Sequence, residues 1–359
     1  MSVFEQIQNP SLRNAKFVFL SNIYFYGFRF KDDNIFFTAL IAFTLKNIFK
    51  FLDPKEQEIA KGLLQKSENA FEHYRNKNGK NTYNFYPTTP VQQYSGIPLL
   101  RNLKSIQIPD DLDDTVLIEM AKSTTYKTHA KSLKNSFEQL SSVPVYTLPK
   151  PHQQSKAYRS WMATKMKNDV DICVVCNVLI WASQNKLTLS AIDKDSIQLV
   201  CNVVKSKNFF SKCYLHAPHY KNPAIVLYHI TRCIVQTQHP QLLALQKNII
   251  AHCEQSLQQF CHPLEKIILY TSLHQLGKEI PFDMSFHSKT LDSFYWFKAN
   301  PFSIAKPWVK KLFSRHNFLH LQYQCTAYNW ILILEFEKIC RAKIQILGDH
   351  IYVKSNTNH

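Results

Sequence analysis

The residues best placed to do chemistry stand together in Pro109-Asp110-Asp111-Leu112-Asp113-Asp114-Thr115. A proline followed by acidic side chains favours a helix start, because free N–H groups and the helix dipole attract negative charge there. One or two aspartates would be enough for that. Four aspartates crowd like charges at i, i+3 and i+4 spacing, which is repulsive. Repulsion and partial burial both raise a carboxyl pKa, so one member can keep its proton near neutral pH. A carboxylic acid flanked by ionised neighbours is a candidate general acid. The same oxygens would also suit Mg²⁺. The plain alternative is helix capping alone.

Other residues are candidates to support that cluster. Asp169 and Asp171 precede an apolar stretch that carries Asn177, a second acidic helix start that would face the first across a common mouth. Trp161, with Tyr158 and Arg159, lies in the segment before Asp169; His219 and Tyr220, with Tyr214, His216 and Asn222, lie before a later helix. An imidazole there titrates near pH 7 and can orient an acid, and aromatic faces stabilise cations or stack on sugars. Tyr295-Trp296-Phe297 forms a third aromatic patch, and Asp32-Asp33-Asn34 reads as a third acidic helix start. Cys173 and Cys176 form a CxxC inside an apolar run with no second pair, so buried thiols are expected rather than zinc. His252, His262 and His316 have no partner at metal-ligand spacing, and no metal site is assigned.

The elements that must position these residues are helical. Phe36, Leu40 and Phe43, with Phe37, Ile41, Leu45 and Ile48 beside them, predict a helix over 34–52. Asp53-Pro54 ends it and opens the next, to about Asn76, and Asn78-Gly79-Lys80 turns the chain. The Pro-rich stretch 82–108 reads as a long loop, and long loops inside domains tend to be functional. Pro109 opens a helix to about Leu140, and 141–160 is again loop. Helices follow at about 170–185, 190–207, 223–236, 240–260 and 263–276. A mixed stretch covers 277–316, and a last helix 321–341. Lys343–Lys354 alternates around Gly348-Asp349, a pattern compatible with a small C-terminal β-hairpin. The expectation is one all-α domain over 1–359, a helical-hairpin array that is an open solenoid or a closed α/α toroid of six hairpins.

Composition agrees with helices. Only 6 of 359 residues are glycine, which argues against a Rossmann fold, a P-loop or many tight β-turns. The net charge is +17, but the lysines are scattered with no arginine-rich run. A solvated lysine surface is the plain reading; weak attraction to anionic membranes or phosphates is the other, and no nucleic-acid partner is expected. Nine cysteines and no signal-peptide pattern point to a reducing, cytoplasmic setting, with peripheral membrane attachment left open. The longest uncharged stretch, 317–334, holds His320, Gln322, Gln324, Thr326 and Asn329 and resembles a buried helix more than a membrane span.

Asp111-Leu112-Asp113-Asp114-Thr115 resembles the D-x-D-D-T signature of class II terpenoid cyclases, the squalene-hopene and diterpene cyclase group. Tyr74–Tyr86 (YRNKNGKNTYNFY) looks like a degenerate form of the Gly-and-aromatic turn repeated in prenyltransferase and squalene-cyclase domains. The resemblance implies an (α/α)6 toroid. It also implies an apolar isoprenoid substrate, Asp113 as proton donor to an alkene or epoxide, and Asp111 and Asp114 as its supporting carboxylates. Asp110, Asp169, Asp171, His219, Tyr220, Trp161 and Asn177 are the expected supporting or lining residues. No cofactor is implied by proton-initiated cyclisation. The overlapping D-D-x-x-D (Asp110, Asp111, Asp114) resembles the Mg²⁺-diphosphate motif of class I prenyl enzymes and keeps Mg²⁺ open. Two other functions compete: a non-catalytic toroid or solenoid binding a protein or lipid, and an (α/α)6 glycan-active enzyme. A cyclase requires Asp113 at an apolar, aromatic-lined cavity.

Overall fold

The structure, a computed structural model, describes residues 3–94, 97, 107–124, 126–142, 147–149, 152, 155–163, 169–259, 261–278, 291, 293–300, 303, 305–313 and 320–355. Among these the chain is mainly helical, with a small antiparallel sheet. The elements in chain order are α1 (Val3–Gln8), β1 (Ser21–Phe25), β2 (Phe28–Asp32), α2 (Phe36–Ile48), α3 (Pro54–Phe71), α4 (Leu112–Ala121) and α5 (Lys127–Ser141). Then come α6 (Ile172–Gln184), α7 (Ala191–Val204), α8 (Phe209–His216), α9 (Pro223–Thr237), α10 (Pro240–Leu243), α11 (Gln246–Leu257) and α12 (Pro263–Gln275). The chain ends with β3 (Phe297–Ala299), α13 (Pro307–Phe313), β4 (Leu321–Gln324) and α14 (Thr326–Ser355).

Two kinds of helix follow from two kinds of sequence. In α4 every residue is buried, and burial runs without a break from Ile172 to Ala182 in α6 and from Ala224 to Ile234 in α9. Such helices are buried on nearly all sides and lie inside, although α4 and α9 also carry buried polar side chains such as Asp113, Asp114, Glu119 and Arg232. By contrast, α5 buries Ala130, Leu133, Lys134, Phe137 and Ser141, and α3 buries Ala60, Leu63, Ser67, Ala70 and Phe71. These spacings are single amphipathic stripes, suited to an outer layer. The contacts follow this division. Helix α2 packs on α4, α4 on α6, α6 on α9, α9 on α12, α12 on α14, and α14 returns to α2. Outside that circuit α3 packs on α2 and α4, α7 on α6, α11 on α9 and α12, and α1 on α14. Aromatic rings fill the space among α2, α14 and β3: Phe297 stacks on Tyr323 at 4.3 Å, and Phe36 meets Phe297 edge-on at 4.9 Å.

Several expectations are corrected. The chain is not all-α: β1, β2, β3 and β4 form one antiparallel sheet in the order β2-β1-β4-β3. Tyr26 and Gly27, both at positive φ, make the two-residue turn that closes β1 on β2. Asp32 therefore ends a strand rather than opening a helix. Its carboxylate accepts from Asn34 Nδ2 at 2.8 Å, and Ile35 precedes α2 with no side-chain cap. Leu321–Gln324 is strand β4, and the last helix starts after it. No hairpin forms at 343–354, because α14 continues to Ser355. Ile344, Leu347 and Ile351 also satisfy helical spacing, and one interior glycine costs a helix only about 1 kcal/mol. The helix expected from Pro109 to Leu140 is two, α4 and α5, parted where Lys122 turns extended before Ser123-Thr124-Thr125, all weak helix formers. Tyr214 and His216 lie in helix α8, not in a loop. The Pro-rich 82–108 and the mixed 277–316 lie partly outside the described residues. No helix among the described residues is long and apolar enough to cross a membrane.

Candidate acidic site at the start of the inner helices

Helix α4 begins at Leu112, three residues later than a Pro109 start would place it. Asp111 is its N-cap: one carboxylate oxygen accepts from the backbone N–H of Asp113 (2.7 Å) and of Asp114 (3.2 Å). Three backbone hydrogen bonds to two irregular segments fix this cap. Asp111 N donates to Tyr83 O (3.0 Å), Leu112 N to Ser160 O (2.9 Å), and Met162 N to Asp110 O (2.8 Å). Thr115 clamps the assembly from the next turn. Its hydroxyl donates to Asp111 O (2.6 Å) and accepts from Tyr83 N (3.0 Å). The Thr of the motif thus holds backbone, not substrate. Thr115→Val is expected to cost about 1–3 kcal/mol by orphaning the buried Tyr83 N–H. Urea denaturation of the two proteins checks it, and an unchanged midpoint would mean the clamp does nothing.

Helix α6 starts in the same way. Asp171 Oδ1 caps Cys173 N (2.9 Å), while Oδ2 accepts from the backbone N–H of His219 (2.9 Å). His219 Nε2 pairs with Asp169 Oδ2 at 2.9 Å, and Trp161 meets the imidazole edge-on at 6.0 Å. The next residue, Tyr220, reaches the first cluster: its hydroxyl donates to Asp113 Oδ2 (2.5 Å). Asn177, a turn and a half into α6, donates from Nδ2 to Asp113 Oδ1 (2.7 Å). The starts of α4, α6 and α9 therefore converge on one point, and Asn222 Nδ2 extends the contact to Glu265 in the first turn of α12.

The expected residues come together. Asp111, Asp113, Asp114, Asp169, Asp171, Asn177, His219, Tyr220 and Trp161 form one connected group. Asp110 sits at its edge, held by Asn76 and Thr82. Tyr158 is instead structural, its hydroxyl donating to Asp193 (2.8 Å). The sequence reading missed Arg232. It is buried on α9, donates to Asn177 Oδ1 at 3.4 Å and lies 4.6 Å over the Tyr228 ring. A lone charge in Ile230-Thr231-Arg232-Cys233-Ile234 was the available signal.

Burial dominates the electrostatics, since a low-dielectric setting penalises the charged form. It pushes Asp111 up to about 7, helped by the charge of Asp113 and opposed by the two backbone N–H groups. Burial also raises Asp113, against the hydrogen bonds from Asn177 and Tyr220 and the charges of Arg232 and His219. Asp114 is raised well above its ordinary value, by burial and then by Asp111 and Asp113, and among the described residues neither of its oxygens has a hydrogen-bond partner. Asp171 is pushed up to about 6 by burial, offset in part by His219. Burial pulls the His219 imidazole down, but the carboxylates of Asp169, Asp171 and Asp111 outweigh it and its net shift is upward. Burial thus raises four carboxyls of the cluster, Asp111, Asp113, Asp114 and Asp171, above the ordinary carboxylate range beside one imidazole.

No three Asp, Glu, His or Cys side chains among the described residues form a metal-binding group. A cavity of about 400 Å³ lies on the far side of the 219–222 segment, and Asp113 is not among the residues that line it. Cys173 and Cys176 are both buried free thiols. No protein-family model matches the chain, and no curated protein or solved structure shows significant similarity to it.

Proposed function

We propose that this chain is a terpenoid-cyclase-like acid catalyst: Asp113 protonates an alkene or epoxide of an apolar isoprenoid and so starts its cyclisation. The observation that carries the reading is the buried Asp113 carboxyl gripped by Tyr220 and Asn177 between Asp111 and Asp114. Burial raises the Asp113 carboxyl above its ordinary range, toward the form that can give a proton. When the proton leaves for an alkene carbon, the π electrons form the new C–H bond; with an epoxide it goes to oxygen as the C–O bond breaks, and in either case Asp113 becomes a carboxylate. Tyr220 O–H and Asn177 N–H already point at that carboxylate and stabilise it as charge develops. The ring of Phe36, centred 6.4 Å from that of Tyr220, offers a face to the carbocation.

The fold belongs to the same reading: an α/α toroid, with α2, α4, α6, α9, α12 and α14 as its inner ring. The closed circuit of helix contacts and the outward placing of the amphipathic helices support it. The chemistry itself needs no metal. A surface of net charge +17 would gather anionic headgroups, the usual source of an apolar substrate.

The test is incubation with linear isoprenoids and their diphosphates, with and without Mg²⁺, beside Asp113→Asn. Metal-independent cyclised product from the wild type alone is the expected result. Product only with Mg²⁺, or equal product from the variant, sinks the assignment.

A further inference from the structure

The 219–222 segment has two faces. His219 and Tyr220 serve the acidic cluster, whereas Lys221 and Asn222 line the cavity of about 400 Å³ beyond it. That volume falls within the range of small-molecule sites, ~300–1,000 Å³. Lys298, on β3, is tied to the same segment by its backbone, which donates to His219 O at 2.7 Å. Its side chain also lines the cavity, beside His262, Ser256 and Ser293.

The charges there are unbalanced. Lys298 is half-buried, and its Nζ makes no hydrogen bond and no ion pair among the described residues. Burial pulls its pKa down, opposed by the charge of Glu265. Lys221 donates from Nζ to His320 at the opposite side of the wall. Among the described residues Glu265 is the one carboxylate of the lining, and both its oxygens are occupied: Oε1 by Asn222 Nδ2, Oε2 by the backbone N–H of His262 at 2.9 Å. Helices α9 and α12 both start at this wall, so their positive ends add to the field. A half-buried ammonium with no ion-pair partner in contact among the described residues is costly unless an anion completes it.

We propose that this cavity binds the phosphate or diphosphate group of a small molecule, with Lys298 as the principal ion-pairing residue and Lys221, Asn222 and the serines as further donors. An ammonium acts on phosphate as a point charge, without the planar fork that recognises carboxylates. The site does not depend on acid chemistry at Asp113, which it does not touch.

Isothermal titration at low ionic strength tests it, with inorganic diphosphate, inorganic phosphate and citrate as probes. Four proteins are compared: wild type, Lys298→Met, the exposed-surface control Lys55→Met, and Asp113→Asn. Diphosphate should bind wild type, Lys55→Met and Asp113→Asn alike, and Lys298→Met at least tenfold more weakly. Lys298→Gln serves if the Met variant does not fold. The proposal is overturned by no heat at millimolar diphosphate, by equal affinity in the Lys298 variants, which would place binding on the general basic surface, or by citrate binding as tightly as diphosphate.

Discussion

Asp113→Asn is expected to lower turnover on a cyclising isoprenoid by roughly 10²–10⁴-fold, the usual range for removing a positioned general acid, while leaving the fold intact. The asparagine matches the carboxyl in shape and still accepts one hydrogen bond, from either Tyr220 or Asn177. It has no proton to give. Tyr220→Phe provides the graded comparison. It removes a donor to the Asp113 Oδ2 oxygen, not the acid itself, so its loss should resemble that of one missing charge-stabilising donor, about 10²–10³-fold. Asp169→Asn acts one step further away, through His219, and should lose least of the three. Initial rates of product formation, read beside urea midpoints, order the variants. Asp113→Asn retaining half the wild-type rate, or Asp169→Asn losing as much as Asp113→Asn, would remove Asp113 from its assigned role.

The site could be read from sequence because each part marks the start of an inner helix. Asp111, Asp171 and Asn222 all accept from backbone N–H groups of the helix they precede, so the preference for short polar caps put the candidate side chains at recognisable places. Once those helices lie side by side with their starts at one end, the caps meet without any further signal. What lacked a local signal was missed. The pairing of β1 with β4 joins Asn22 to Gln324, 302 positions apart, and nothing near either residue announces the partner. The aromatic alternation and Tyr26-Gly27 turn of the first hairpin were legible and were passed over in favour of an acidic helix start at Asp32. The tail is ambiguous in sequence because its alternating apolar residues fit both periods, and its single glycine is as compatible with a helix interior as with a turn. Arg232 escaped because its role is relayed through Asn177 and not declared by spacing.

Stability that falls as pH rises from 7 to 8 is the second large expected effect, and it has the opposite sign to ordinary acid denaturation. In the unfolded chain an aspartate titrates near ~3.9, so above pH 7 it carries no proton. In the folded chain, burial and the neighbouring carboxyls raise Asp114 well above its ordinary value and push Asp111 up to about 7. The folded state therefore binds more protons, the stabilising contribution is full at low pH, and it is lost as pH rises through the folded-state values. One retained proton corresponds to ~1.4 kcal/mol per pH unit. His219, raised in net by its carboxylate partners, acts in the same sense. His152 and His229, pulled down by burial, act in the opposite sense but only below the ordinary imidazole range, which is why the window starts at pH 7. Asp114→Asn should flatten the slope and be the more stable protein at pH 8, because its side chain gives up no hydrogen bond and removes a like charge from Asp111 and Asp113. Asp114→Leu should do the same if the pocket around it accepts a branched apolar group. Urea denaturation at pH 7, 7.5 and 8 measures both. A wild-type midpoint that holds level or climbs across that range would mean the cluster is fully ionised at neutral pH, leaving no protonated carboxyl for Asp113 to draw on.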